Sequence, residues 1–263
     1  MDAFSRWARE ANAIVFLTDS TVRAPNGAVL VAPDTGDAEP EAEMPYPADA
    51  VLRKQTTVRR LHSMGMSVSE TLPPVVAEVE VELRAPADVA SRCLALFACA
   101  LRAESLARGE QIPTADLQRQ MPLAFAAMSP KETAFVSSSA PSEQEIVDHT
   151  WRYEALAVLE WALAESKELH LPTRLCDVPA LARSMMALDA PKFVAAAHLR
   201  PGSELLDALD LHYRLHWATT EARVNQGPAP GDVQEGVVAE RHYALNWLTR
   251  FRDADWDDVE TPT

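Results

Sequence analysis

Two periods of apolar residues run through this chain, and the helical one dominates. Val89, Cys93, Leu94, Phe97, Ala100 and Leu101 recur at three- and four-residue spacing, which predicts one buried helix face. Pro86 is placed to open that helix, Asp88 to favour its first turn, and Gly109 to end it. Ser129-Pro130-Lys131-Glu132 and Ser142-Glu143-Gln144-Glu145 both fit the capping box, in which serine and glutamate satisfy each other's backbone amides. The second box predicts one long helix running through Trp151, Leu156, Leu159 and Leu163. Asp177 is the expected cap of a helix with Leu181 and Met185, and Ser203 of one with Leu205, Leu209, His212 and His216. Asp232 with Glu235 is expected to cap the helix that carries Glu240 to Trp247. Asp49 begins another that runs to Met64, where Gly65 supplies a left-handed stop.

The period of two is confined to the first third. Ala13-Ile14-Val15-Phe16-Leu17 and Ala28-Val29-Leu30-Val31 read as short strands around Pro25-Asn26-Gly27. Ala77 to Leu83 alternates strictly, which predicts a half-buried strand with Glu78, Glu80 and Glu82 on its wet face. Residues 33 to 48, rich in Pro, Asp, Glu and Ala, read as an acidic loop. The fold expected is α+β and mainly α-helical: a compact helical core with a small N-terminal β element. Residues 1–48 form the hairpin and acidic loop, and residues 49–263 one mainly helical domain.

Charge adds a direction to this picture. The formal net charge is −15. Residues 1–50 hold nine acids against Arg6, Arg9 and Arg23, and residues 252–263 hold five against Arg252. Nucleic acid is not an expected partner, because that binding rests on neutralising phosphates with basic groups. A basic protein partner is expected, since opposite charge speeds encounter. The other reading is a solvated surface that aids solubility. The longest apolar runs, such as Leu94–Leu101, are far too short to cross a bilayer, so no membrane partner is expected. The N-terminus, Met1 to Trp7, lacks the basic-then-apolar order of a secretory signal, and a cytoplasmic location is expected. Cys93, Cys99 and Cys176 are odd in number and read as reduced core residues.

Candidate chemistry concentrates in the last quarter. His212 and His216 lie four apart on one helix face, an arrangement that can seize a metal, and His242 is a candidate third ligand. Glu240, Asp257 and Asp258 could add oxygen ligands or a general base, while Arg214 and Arg241 could grip an anion. The His-Glu-x-x-His pattern of a zinc hydrolase is absent, and the sequence assigns no metal and no cofactor. The competing account is structural. Leu205 and Leu209 share the histidine stripe, Arg214 follows Asp210 by four, and Arg241 and Arg223 are placed to fork onto Asp257-Asp258. Both accounts predict that the tail packs down through Trp256. No Gly-x-Ser-x-Gly elbow and no glycine-rich phosphate loop is present, so no catalytic residue is assigned.

Several motifs together resemble the bacterial domain-of-unknown-function family 4272 over roughly residues 51–263. They are Arg84 to Ala90, Trp151 to Leu156, Cys176-Asp177-Val178, His212 to Trp217, Glu240 to Trp247 and Trp256-Asp257-Asp258. Residues 1–50 are less typical of it. The resemblance implies a standalone soluble bacterial protein and carries over no catalytic residue.

The function expected is a non-enzymatic protein-interaction module, for example an immunity-type protein that neutralises a basic toxin. Its expected contacts are Asp34, Asp37, Glu39, Glu41 and Glu43 in the acidic loop, with Glu78, Glu80 and Glu82. The alternative is a metal-dependent hydrolase or small anionic-ligand binder built on the last-quarter cluster.

Overall fold

Helices built on the predicted stripes make up most of the structure, a computed structural model that describes residues 3–263. Met1 and Asp2 of the N-terminal segment lie outside the described residues. The chain divides into two units, Met1–Val51 and Leu52–Thr263.

The first unit holds helix α1 (Ala3–Glu10) and a three-stranded antiparallel sheet in the order β1 (Val15–Phe16), β2 (Val22–Arg23), β3 (Val29–Val31). Two of these strands fall within the predicted segments. The third, β2, lies between them, and the Pro25-Asn26-Gly27 turn joins it to β3. Asn26 closes that turn by accepting from the Ala28 amide at 2.9 Å, and Gly27 takes the positive φ it requires. Residues 32–47 carry no helix or strand. Helix α2 (Ala48–Ser63) follows and ends at Gly65, whose φ is +75°.

In the second unit, α3 (Pro86–Ala107) is the central helix. Around it stand α4 (Thr114–Gln120), α5 (Pro122–Ala126), α6 (Pro130–Ser137), α7 (Glu143–Thr150) and α8 (Arg152–Ala162). Then come α9 (Val178–Ala187), α10 (Ala190–Ala196), α11 (Gly202–Val224) and α12 (Glu235–Leu248). Helix α3 packs on α5, α7, α8 and α10; α8 packs on α12; and α12 packs on α11. The stripe Val89, Cys93, Leu94, Phe97, Ala100 joins Leu156, Leu159, Leu205, Leu245 and Trp247 in the main core. A second cluster, with Leu61, Leu211, Leu215 and Val238, extends it beside α11. The three cysteines are free thiols, Cys93 and Cys99 buried and Cys176 half-buried.

Four local expectations are corrected. Residues 77–83 form no strand: the Ala77 carbonyl accepts from the Glu80 and Val81 amides at 3.1 and 3.0 Å, and Val79 is 87% exposed. Alternation needs a neighbouring strand to be realised, and a local turn satisfies these amides instead. The helix from Ser142 is not continuous. At Trp151 the backbone tightens, with the Glu154 amide bonded to the Trp151 carbonyl three residues back. Ser203 lies inside α11, whose first turn is held instead by the Pro201 carbonyl. Asp232 sits in a short 3-10 turn, and α12 starts after Gln234, whose amide bonds to the Pro172 carbonyl at 2.8 Å. A tertiary contact thus does what a cap was expected to do.

Candidate functional site

Helical spacing in α11 sets its polar groups. Asp210 and Arg214, one turn apart and fully buried, form a two-pronged ion pair with Nε to Oδ2 at 3.0 Å and Nη2 to Oδ1 at 2.7 Å. Nη2 also donates to the Pro73 carbonyl at 3.2 Å. This is the pairing expected from the sequence order. His212, on the same helix, is also buried, and its Nδ1 lies 2.7 Å from the Ala208 carbonyl. Its Nε2 is buried without a hydrogen-bond partner.

The histidines of α11 and α12 meet. His216 Nδ1 lies 3.0 Å from His242 Nδ1, with the rings edge to face. One nitrogen must donate and the other accept, so protonating both rings breaks this bond. Burial pushes His212 down to about 3, helped by Arg241, and pushes His242 down to about 3, helped by His216. Both rings are neutral at ordinary pH. Among the described residues, no three His, Cys, Asp or Glu side chains are grouped to hold a metal ion.

The arginines of this region take other partners than the tail. Arg241 directs Nε and Nη2 to Glu154 Oε2 at 3.1 and 3.0 Å, and Nη1 to the His170 carbonyl at 2.7 Å. Glu154 also accepts from the Cys176 amide at 2.6 Å. Glu240 binds Arg152 at 3.0 Å, and Arg223 binds Glu235 at 2.7 Å. The expected forks from Arg241 and Arg223 to Asp257-Asp258 are therefore corrected. Carboxylates on nearer helices, buried Glu154 and half-exposed Glu235, reach the guanidinium groups first.

The tail itself is packed. Trp256 is buried edge-on to Trp247 and Tyr243, at 5.4 and 5.0 Å between ring centres, and Arg92 lies 5.0 Å from its face. Asp257 accepts from Ser129 Oγ at 2.6 Å and from the Lys131 amide at 2.9 Å, so a carboxylate sits at the start of α6. Asp258 is exposed. Asp257→Ala is expected to destabilise the protein by about 1–2 kcal/mol, read as a lower urea midpoint.

Sequence reasoning missed Arg92, Glu132, Arg152 and Glu154. Arg92 and Glu132 form a buried pair at 2.7 Å. Glu132 had been given a role in its capping box, which is indeed formed, and nothing in a linear pattern shows its second partner on α3.

Three of the clefts on this unit each take residues from the predicted polar site, while His212, Arg214, His216 and Glu240 line none of the three. His242 lines the largest, of 810 Å³, together with Tyr213, Leu209, Val75, Glu80 and Glu82. Arg241 lines a second of 560 Å³ between α8 and α9. Asp257 and Asp258 line a third of 570 Å³. Of the acids expected to meet a partner, Glu80 and Glu82 thus stand in a cleft, and Glu78 is exposed in the same turn. Asp34, Asp37, Glu39, Glu41 and Glu43 are exposed in the first unit. Glu39 has a local task as well, its carboxylate accepting from the Val29 amide at 2.7 Å.

No helix among the described residues is long and apolar enough to cross a membrane. Neither a curated protein nor a solved structure matches the chain. The model of the family described as Domain of unknown function (DUF4272) matches residues 53–259, and the chain belongs to that family.

Proposed function

We propose that this protein is a non-enzymatic interaction module that takes a basic partner at its largest cleft. The observation that carries the reading is the exposed pair Glu80 and Glu82 on the wall of an 810 Å³ cleft lined by Val75, Val76 and Leu209. The arginines on the same rim are already matched, Arg250 with Asp253 and Arg252 with Glu260. The two glutamates therefore set the sign of the opening, and the net charge of −15 attracts the same class of partner from a distance. A basic side chain flanked by apolar ones suits such a surface. Neutralising a basic toxin is one concrete form of this activity.

The hydrolase or anion-binder reading has less support. It needs His212, Arg214, His216, Glu240, Arg241 and His242 to converge on one opening. Their side chains are instead buried or paired with other groups, and His242 and Arg241 line two separate clefts.

The test is a pull-down of the tagged chain from extract of its own cells, read by mass spectrometry, beside the variant Glu80→Lys/Glu82→Lys. Wild type is expected to retain a basic protein in stoichiometric amount, less of it as salt rises, and the double variant to lose it. Identical captured proteins from both would reject the cleft as the contact.

A further inference from the structure

Among the described residues four carboxylates are buried: Glu132, Glu154, Glu160 and Asp210. Arginine neutralises three of them, Arg92 on Glu132 at 2.7 Å, Arg241 on Glu154 at 3.0 Å and Arg214 on Asp210 at 2.7 Å. Glu160 differs. It is 5% exposed, stands on the wall of the 560 Å³ cleft between α8 and α9, and has no arginine or lysine partner among the described residues. The Ser184 hydroxyl on α9 is its hydrogen-bonding neighbour. Buried carboxylates are ordinarily matched by a cation, because desolvating the charge alone is costly. Here burial, with Glu165 beside it, pushes the carboxyl up to about 7.

The rest of the cleft indicates which kind of cation it would suit. Ala157, Leu169 and Leu181 give it carbon walls, and its volume lies within the range of small-molecule sites. Its other charged groups have tasks or face water. Arg241 is held by Glu154, Asp177 caps α9 by accepting from the Ala180 amide, Glu168 lies 3.8 Å from His170, and Arg174 is exposed. Carbon walls suit an aliphatic stem better than a hydrated metal ion, which retains its water.

We propose that this cleft binds a small organic cation, an ammonium or guanidinium group on a short aliphatic body, with Glu160 as its counter-ion. The site is separate from the partner cleft at Glu80 and Glu82, and each can fail without the other.

Calorimetric titration of the full chain with n-butylammonium, n-butylguanidinium and n-butanol tests it. The cations are expected to bind with Kd of about 1 mM, the scale set by so few atoms, and the alcohol not to bind. Glu160→Gln keeps the shape and removes the charge, and should weaken the cations about thirtyfold. Glu110→Gln, at an exposed carboxylate elsewhere, should change nothing. Ala180→Phe fills the cleft from an exposed position on α9 and should abolish binding even if Glu160→Gln proves unable to fold. Equal cation affinity in wild type and Glu160→Gln overturns the proposal. So does an absence of saturable cation binding by wild type, or a response to magnesium or calcium in place of the amines.

Discussion

Arg214→Met is expected to destabilise the protein by about 3–5 kcal/mol, the scale for leaving one partner of a buried ion pair alone. Arg214 and Asp210 are both fully buried and joined by two bonds, so the single replacement strands a carboxylate with no water to receive its charge. The Pro73 carbonyl loses a donor as well. That loss is a large fraction of the stability of a typical domain. The matching double replacement, Arg214→Met with Asp210→Leu, should recover most of it, because no charge is then left buried. Urea unfolding of wild type, both singles and the double measures the coupling directly. A single-variant loss under about 1 kcal/mol, the range of exposed pairs, would show that Arg214 is not what compensates Asp210.

Acid is expected to destabilise this protein through its buried histidines. His212 and His242 are held at about 3 when folded against an ordinary 6.5. The unfolded chain therefore binds more protons than the native one between these values. The histidine contribution to stability is full above about pH 6.5 and is lost as pH falls toward 3, by several kcal/mol for the two rings together. Arg241 and Arg60 face His212 and add to the effect, since a second positive charge is unwelcome there. Glu160 runs the other way. Its carboxyl is raised from 4.5 to about 7, so its contribution is present at low pH and lost as pH rises through that window. The clean measurement is the difference between wild type and His212→Leu from pH 8 to pH 4. The leucine variant should match or exceed wild-type stability at pH 8, because an unpartnered buried Nε2 is removed, and should lose less on acidification. Parallel stability curves would disprove the buried-histidine account.

Two acids of α8 show why pairing, more than proximity in sequence, decides what a polar residue can do. Glu154 and Glu160 lie on the same helix and are both buried. One is matched by Arg241 from α12, and the other lines a cleft with no arginine or lysine partner among the described residues. Sequence reasoning gave neither a partner, because both fit equally well within the apolar run of α8.

The clustering of His212, Arg214, His216, Glu240, Arg241 and His242 was legible as a place where polar groups concentrate, and two of its details were legible as well. The Asp210–Arg214 pair follows from one turn of helix, and the descent of Trp256 into the core follows from its apolar ring. The forks to Asp257-Asp258 were not available from any pattern. Helix partners separated by more than eighty residues, as Glu154 and Arg241 are, meet through packing alone.

The chain by itself determined its longer helices, several of their stops and caps, and the apolar stripe of α3, but not the short helices α1, α4, α5 and α10. These depend on neighbours within four residues: the stripe of α3, the boxes at Ser129 and Ser142, the left-handed glycines at Gly65 and Gly109. Tertiary structure decided the rest. It turned the alternating segment at Ala77–Leu83 into a turn by offering no strand beside it, and started α12 on a carbonyl from Pro172. It also buried or paired half of one apparent polar site, spread the other half over three clefts, and left Glu160 as the buried carboxylate facing an opening. Local rules settle φ, ψ and amphipathic face. Which charge meets which, and which remains unmatched beside a cavity, depends on distances that exist only once the helices are packed.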